Sequence, residues 1–180
     1  MRFPFLIAAT LICYGSIGTA QNNQISRVTG GAISLLIHDE GGDWQSAASI
    51  NPSCSENRTT MALQFLTDHP ADGVTTTIGA KSGAQSTLTL ADTPGRRVMV
   101  ENPTAFLRDL VVEGRLFVHS KGGDLDGTSA FTLTEFELEG LYELAQRCQW
   151  ADALPTLADA KSTLAALPPL DDISDIAPTS

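Results

Sequence analysis

Hydrophobic spacing changes several times along the chain, and each change marks an element. Phe3 to Tyr14 is a nearly continuous apolar run, followed by the small residues Gly15, Ser16, Gly18, Thr19 and Ala20. Gln21–Gly31 is polar and reads as a linker, and Ala32–His38 fits either a leading strand or the end of that linker. From Gly41 onward, short β-compatible segments recur between turn residues. They are Trp44–Ser49, Thr60–Thr67 with Met61, Leu63 and Phe65 on one face, Val74–Ala80, Thr87–Ala91 and Arg97–Glu101. Asp72–Gly73 and Thr93–Pro94–Gly95 punctuate them.

The period then becomes helical. Phe106, Leu107, Leu110 and Val111 share a helix face, Asn102 and Pro103 suit its start and Gly114 its end. Arg115–Ser120 reads as a strand, Gly122–Thr128 as a turn, and Ser129–Leu138 as another strand, because Phe131 and Leu133 alternate with Thr132 and Thr134. Gly140–Trp150 has Leu141, Leu144, Ala145 and Cys148 on one helical side. Pro155–Leu167 carries a stripe of Leu157, Ala160, Leu164 and Leu167, stopped by Pro168–Pro169, and Leu170–Ser180 is acidic and reads as disordered. The order predicts an α+β fold: a small antiparallel β-rich domain, sandwich- or meander-like, over residues 41–150 with two helices. A leader over 1–20, a linker or leading strand over 21–40 and a helical tail over 151–180 flank it.

Charge and cysteine usage narrow the setting. Arg2 before the apolar run, with Gly18 and Ala20 at the −3 and −1 positions, reads as a secretory signal cleaved before Gln21. The run is too short and its flank too small for an anchor, and acylation at Cys13 would follow Ile12 where a small residue is expected. Cleavage leaves two cysteines of the three, Cys54 and Cys148, and an even pair in an exported chain reads as a disulfide. Asp and Glu number 21 against 11 Lys and Arg, a net charge of −10, which argues against a nucleic-acid partner. No other apolar run approaches the roughly 20 residues of a membrane span. The expected location is periplasmic or secreted.

One family resemblance emerges from the residues. Gly42–Asp43–Trp44, the segment Cys54–Ser–Glu–Asn–Arg–Thr59, the helix Thr104–Leu110 before the strand Arg115–His119, and the ending Phe136–Glu–Leu–Glu–Gly140–Leu, helix, Cys148–Gln–Trp150 stand in order. Together, Trp44–Trp150 resembles the VasI/TagO family, envelope accessory proteins found in type VI secretion loci. The pattern is shared with other small exported disulfide domains, such as the invasion-associated locus B proteins. The resemblance implies a non-enzymatic accessory role with a protein partner in the cell envelope, and it brings no catalytic residue, cofactor or metal.

The remaining chemistry is sparse. His38, His69 and His119 are too widely spaced for a local ligand set, although His38 adjoins Asp39 and Glu40. Asp124–Leu–Asp126–Gly127 fails as a calcium loop, because aligning Gly127 with its sixth position puts Gly122 first and Leu133 twelfth. Glu135, Glu137 and Glu139, read on a strand, share one side, where they form either a solvated face or the acid/base pair of a hydrolase. Lys81 with Ser82 and Ser86 matches neither a phosphate loop nor a nucleophile elbow, and Asn57–Arg58–Thr59 is a chance glycosylation sequon. Candidate partner contacts are the basic pair Arg96–Arg97 and the stripe residues Leu157, Leu164 and Leu167. The alternatives to an accessory protein are a small-ligand or inhibitor module and a hydrolase.

Overall fold

The computed structural model describes residues 26–28, 32–39, 47–69, 75–79, 86–88, 95–122 and 127–170. The expected signal over 1–20, Gly41–Trp44, the expected turns at Asp72–Gly73 and Thr93–Pro94, Lys81–Ser82, Asp124–Asp126 and the acidic end after Leu170 lie outside the described residues. The elements are β1 (Ser26–Val28), β2 (Ala32–Ser34), β3 (Ile37–His38), β4 (Ala47–Ser55), β5 (Arg58–His69), β6 (Thr75–Gly79), β7 (Ser86–Leu88) and β8 (Gly95–Met99). Then follow α1 (Pro103–Glu113), β9 (Arg115–Lys121), β10 (Gly127–Thr132), α2 (Glu135–Arg147) and α3 (Leu157–Ala165). The fold is α+β with two antiparallel sheets. The larger runs β1-β2-β4-β5-β8, with β3 also on β4, and the smaller runs β10-β9-β6-β7.

Within the segment read as linker or leading strand, Ser26–Val28, Ala32–Ser34 and Ile37–His38 are sheet. Ile33, Leu35 and Ile37 are buried in the main core, and Ser26–Val28 pairs with β2. β4 extends past the expected Ser49 as far as Ser55, through Pro52. Proline is tolerated in this inner strand because β2 hands over to β3 opposite it. The Leu35 N–H reaches the Pro52 carbonyl, and no donor is required of residue 52. A two-residue turn then joins β4 to β5, with positive φ at both Glu56 (52°) and Asn57 (58°), the twist that suits a tight hairpin.

Met61, Leu63 and Phe65 line the inner face as their alternation predicts, with Ile50, Cys54 and Val98 beside them. Phe106, Leu107, Leu110 and Val111 of α1, Leu138, Leu141 and Leu144 of α2, and Ile78, Leu116, Val118 and Phe131 of the smaller sheet complete the same core. α1 stops at Gly114, whose φ of 71° admits the left-handed turn and whose N–H reaches the Leu110 carbonyl. Asn102 occupies the expected cap position but adopts φ 52°, and its side chain makes no cap bond.

One expectation is overturned. Glu135, Glu137 and Glu139 lie on helix α2, and β10 ends at Thr132. Thr134 accepts from the Glu137 N–H while the Glu137 carboxylate accepts from the Thr134 N–H, a capping box that forces the helical turn over the accidental alternation of Glu with apolar residues. The helix also begins earlier than the expected Gly140 and ends before Trp150.

Cys54 of β4 and Cys148, which follows α2, are joined by a disulfide with Cα atoms 5.9 Å apart. α3 packs against α1 and α2. Ala160 is buried, Leu157 and Leu164 pack against the core, and Lys161 bridges Glu135 and Glu139. The chain after α3 lies on the smaller sheet, where Leu170 packs on Phe117 and Ala130, and the buried Arg115 donates to Thr132 Oγ1 (2.7 Å) and the Pro168 carbonyl (3.1 Å).

A polar sheet face and an adjoining groove

Strand register, rather than any local motif, assembles the most distinctive surface. With Ile50, Cys54, Leu63 and Val98 turned inward, the alternate positions of β4, β5 and β8 face the other way. Register then aligns them in rows. His38, Ser49, Gln64 and Arg97 stand opposite one another across β3, β4, β5 and β8. Asn51, Ala62 and Met99 form the next row, Ser34, Ser53 and Thr60 the third, and Ser55 and Arg58 the last.

These four rows hold hydroxyls, amides, two arginines and a histidine, and none of their positions is Asp or Glu, in a chain with 21 acidic residues. Ser53 and Thr60 hydroxyls bond at 2.7 Å, and Asn51 Nδ2 donates to Ser49 Oγ at 3.4 Å. His38, Arg58, Arg97 and Met99 are exposed, Met99 at 51%. Among the described residues, neither Arg58 nor Arg97 pairs with a carboxylate.

The face runs into a groove of about 660 Å³ at one end. β8 leaves β5 once the Val100 N–H has bonded the Met61 carbonyl, and Asn102 turns the chain into α1. Arg58–Thr60 thus remain beside an opening walled by Met99–Glu101 and by Pro103, Thr104 and Ala105 of α1. Thr59 is fixed there, because its hydroxyl accepts from Trp150 Nε1 at 3.0 Å. The first turn of α1 contains no acidic residue, so Glu101 is the one carboxylate among the residues that line the groove, as Arg58 is its one cation.

The sequence-predicted candidates are distributed differently. Arg97 belongs to the polar face, and the exposed Arg96 lies on the other side of β8. Leu157 and Leu164 turn toward the core, and Leu167 lies against Gly114, so the α3 stripe covers its own domain. Of the three glutamates, Glu137 is buried in its cap while Glu135 and Glu139 hold Lys161. The hydrogen bond to Glu139, then that to Glu135, raise the Lys161 pKa above its ordinary value. Tyr142 donates to the Pro155 carbonyl at 2.6 Å, and desolvation, with Asp159 adding to it, raises its pKa.

His119 bonds Thr128 through Nδ1, Asp39 accepts from the Ala130 N–H, and the described residues contain no cluster of three metal-ligating side chains. No helix among them is long and apolar enough to cross a membrane. Comparison with protein-family models, with curated proteins and with solved structures found no match.

Proposed function

We propose that this chain is an exported, non-enzymatic accessory protein of the bacterial envelope that works by binding another protein, periplasmic or secreted, and allied to a secretion system as the VasI/TagO resemblance implies. The observation that carries the export reading is the Cys54–Cys148 bridge. Such a bond persists in oxidising compartments and is rare where glutathione keeps thiols reduced. The binding reading is supported by the four strand rows between Arg97 and Arg58, which carry no Asp or Glu. The non-enzymatic reading draws support from the glutamates that the sequence offered for acid/base work, since they are engaged in a helix cap and in a lysine bridge.

In-cell cross-linking of the tagged protein, followed by mass spectrometry, tests this reading. Reproducible capture of identified envelope proteins supports it. Capture of nothing above background, with the protein monomeric and folded, overturns it. The groove between Arg58 and Ala105 favours a second reading, a small-ligand module, and ligand screening by thermal shift separates the two.

A further inference from the structure

We infer that the outer face of the larger sheet, from Arg97 to the groove at Arg58, docks an extended acidic segment of the partner protein. The argument is charge complementarity in a fixed geometry. In a chain of net charge −10, the four rows that register aligns between Arg97 and Arg58 carry no Asp or Glu, and an exposed arginine stands at each end of them. Arg97 stands opposite Gln64, and Arg58 lies six positions before Gln64 on the same side of β5. At about 3.3 Å per residue, the two ends are about 20 Å apart.

An extended peptide with two carboxylates about six residues apart matches that span. Between the arginines, the Ser53, Thr60, Asn51 and Gln64 side chains offer donors and acceptors to its polar groups, and the half-exposed Met99 offers it an apolar contact. The groove receives one end, where the Arg58 guanidinium meets a carboxylate in the fork geometry arginine favours.

This inference deepens the accessory-protein reading and rests on it, but the two fail separately. Cross-linking in cells decides whether there is a protein partner, and a peptide titration decides whether this face takes an acidic one. The purified chain is titrated by fluorescence anisotropy with labelled peptides of about twelve residues. One carries two glutamates about six residues apart, and the others carry glutamine or lysine at the same positions.

The glutamate peptide is expected to bind at least about tenfold more tightly than the glutamine peptide. Arg58→Glu and Arg97→Glu should each weaken it about tenfold, and raising the salt to about 0.5 M should remove most of the difference. Both arginines are exposed, so circular dichroism should show both variants melting like the parent. A backbone amide map of the parent gives a readout independent of the variants, with shifts expected at Arg58–Gln64 and Arg97–Met99. Equal binding of the glutamate and glutamine peptides, unchanged binding by the double variant, or shifts confined to α3 would each overturn the inference. The arginines would then serve only to discourage edge pairing.

Discussion

Reduction of the Cys54–Cys148 bond isolates one constraint with little other disturbance. Cys54 is fully buried on the inner face of β4, and Cys148 is 8% exposed beside α2. A reduced cysteine behaves as a small buried hydrophobe, so reduction leaves no polar group stranded. The loss is then chiefly that of a cross-link between residues 94 apart, about 4.7 kcal/mol on the chain-entropy model. For a domain of this size each kcal/mol shifts the melting temperature by about 2–4 °C, so the midpoint should fall by about 10–20 °C.

α2 has other anchors, namely its capping box and the buried Leu138, Leu141 and Leu144. The reduced protein should therefore keep its far-ultraviolet spectrum at room temperature. The assay is a thermal melt of oxidised and reduced samples, reduction being driven in denaturant, where the buried bond is accessible, and verified by thiol titration after refolding. The double variant Cys54→Ala/Cys148→Ala should fall at least as far. A verified reduced sample melting within about 2 °C of the oxidised one would refute the reasoning, because the denatured chain would already be as compact without the bond.

Four further outcomes follow from the packing. Gly114→Ala puts an L residue at φ 71° and a methyl 2.9 Å from Leu167 Cδ1, so denaturant titration should show a loss of about 1–2 kcal/mol. Gly140→Ala should also destabilise, by about 1–3 kcal/mol, because its methyl would lie 2.7 Å from Cδ2 of the buried Leu35; a gain would mean that Leu35 repacks and that helix propensity wins. Thr134→Ala removes the capping box and should cost about 1 kcal/mol, measured the same way. The Lys161 and Tyr142 pKa values are both raised in the folded state, above ordinary values of 10.5 and 10.0, so the native chain holds protons that the unfolded chain releases. Their contribution is complete below about pH 10 and is lost as pH rises through the folded values, and the double variant Lys161→Met/Tyr142→Phe should show a shallower alkaline fall in melting temperature.

What the sequence disclosed and what it withheld divide along a physical line. Elements whose burial is decided within one segment were legible: Met61, Leu63 and Phe65 alternate into the core, and Phe106, Leu107, Leu110 and Val111 repeat at helical spacing. The α+β class followed from such signals, and the Cys54–Cys148 pair from the cysteine count left once the leader is set aside. The start of α2 had two competing signals, and the misleading one was the more conspicuous. Glu135, Glu137 and Glu139 alternate with Phe136, Leu138 and Gly140 as a strand would, but Thr134 followed three residues later by Glu137 is a capping box, and its two reciprocal bonds decide the turn. β4 runs past the expected Ser49 through Pro52 to Ser55. The Pro52 carbonyl's bond to Leu35 comes from a segment some seventeen residues upstream, which no window around Pro52 contains.

Apart from Arg97, which the sequence offered as a partner contact, the docking face belongs to the withheld kind. His38, Ser49, Gln64 and Arg97 are scattered over sixty positions of chain, and no spacing among them has meaning until three strand registers are set. A one-residue slip of β8 against β5 would send Arg97 inward and Val98 outward, which the core forbids by burying Val98 against Leu63. The apolar rows therefore fix the polar ones. The inner side, where each misplacement costs buried surface, dictates which charges the outer side presents, and an acidic chain acquires a basic-ended face through a register chosen for its core.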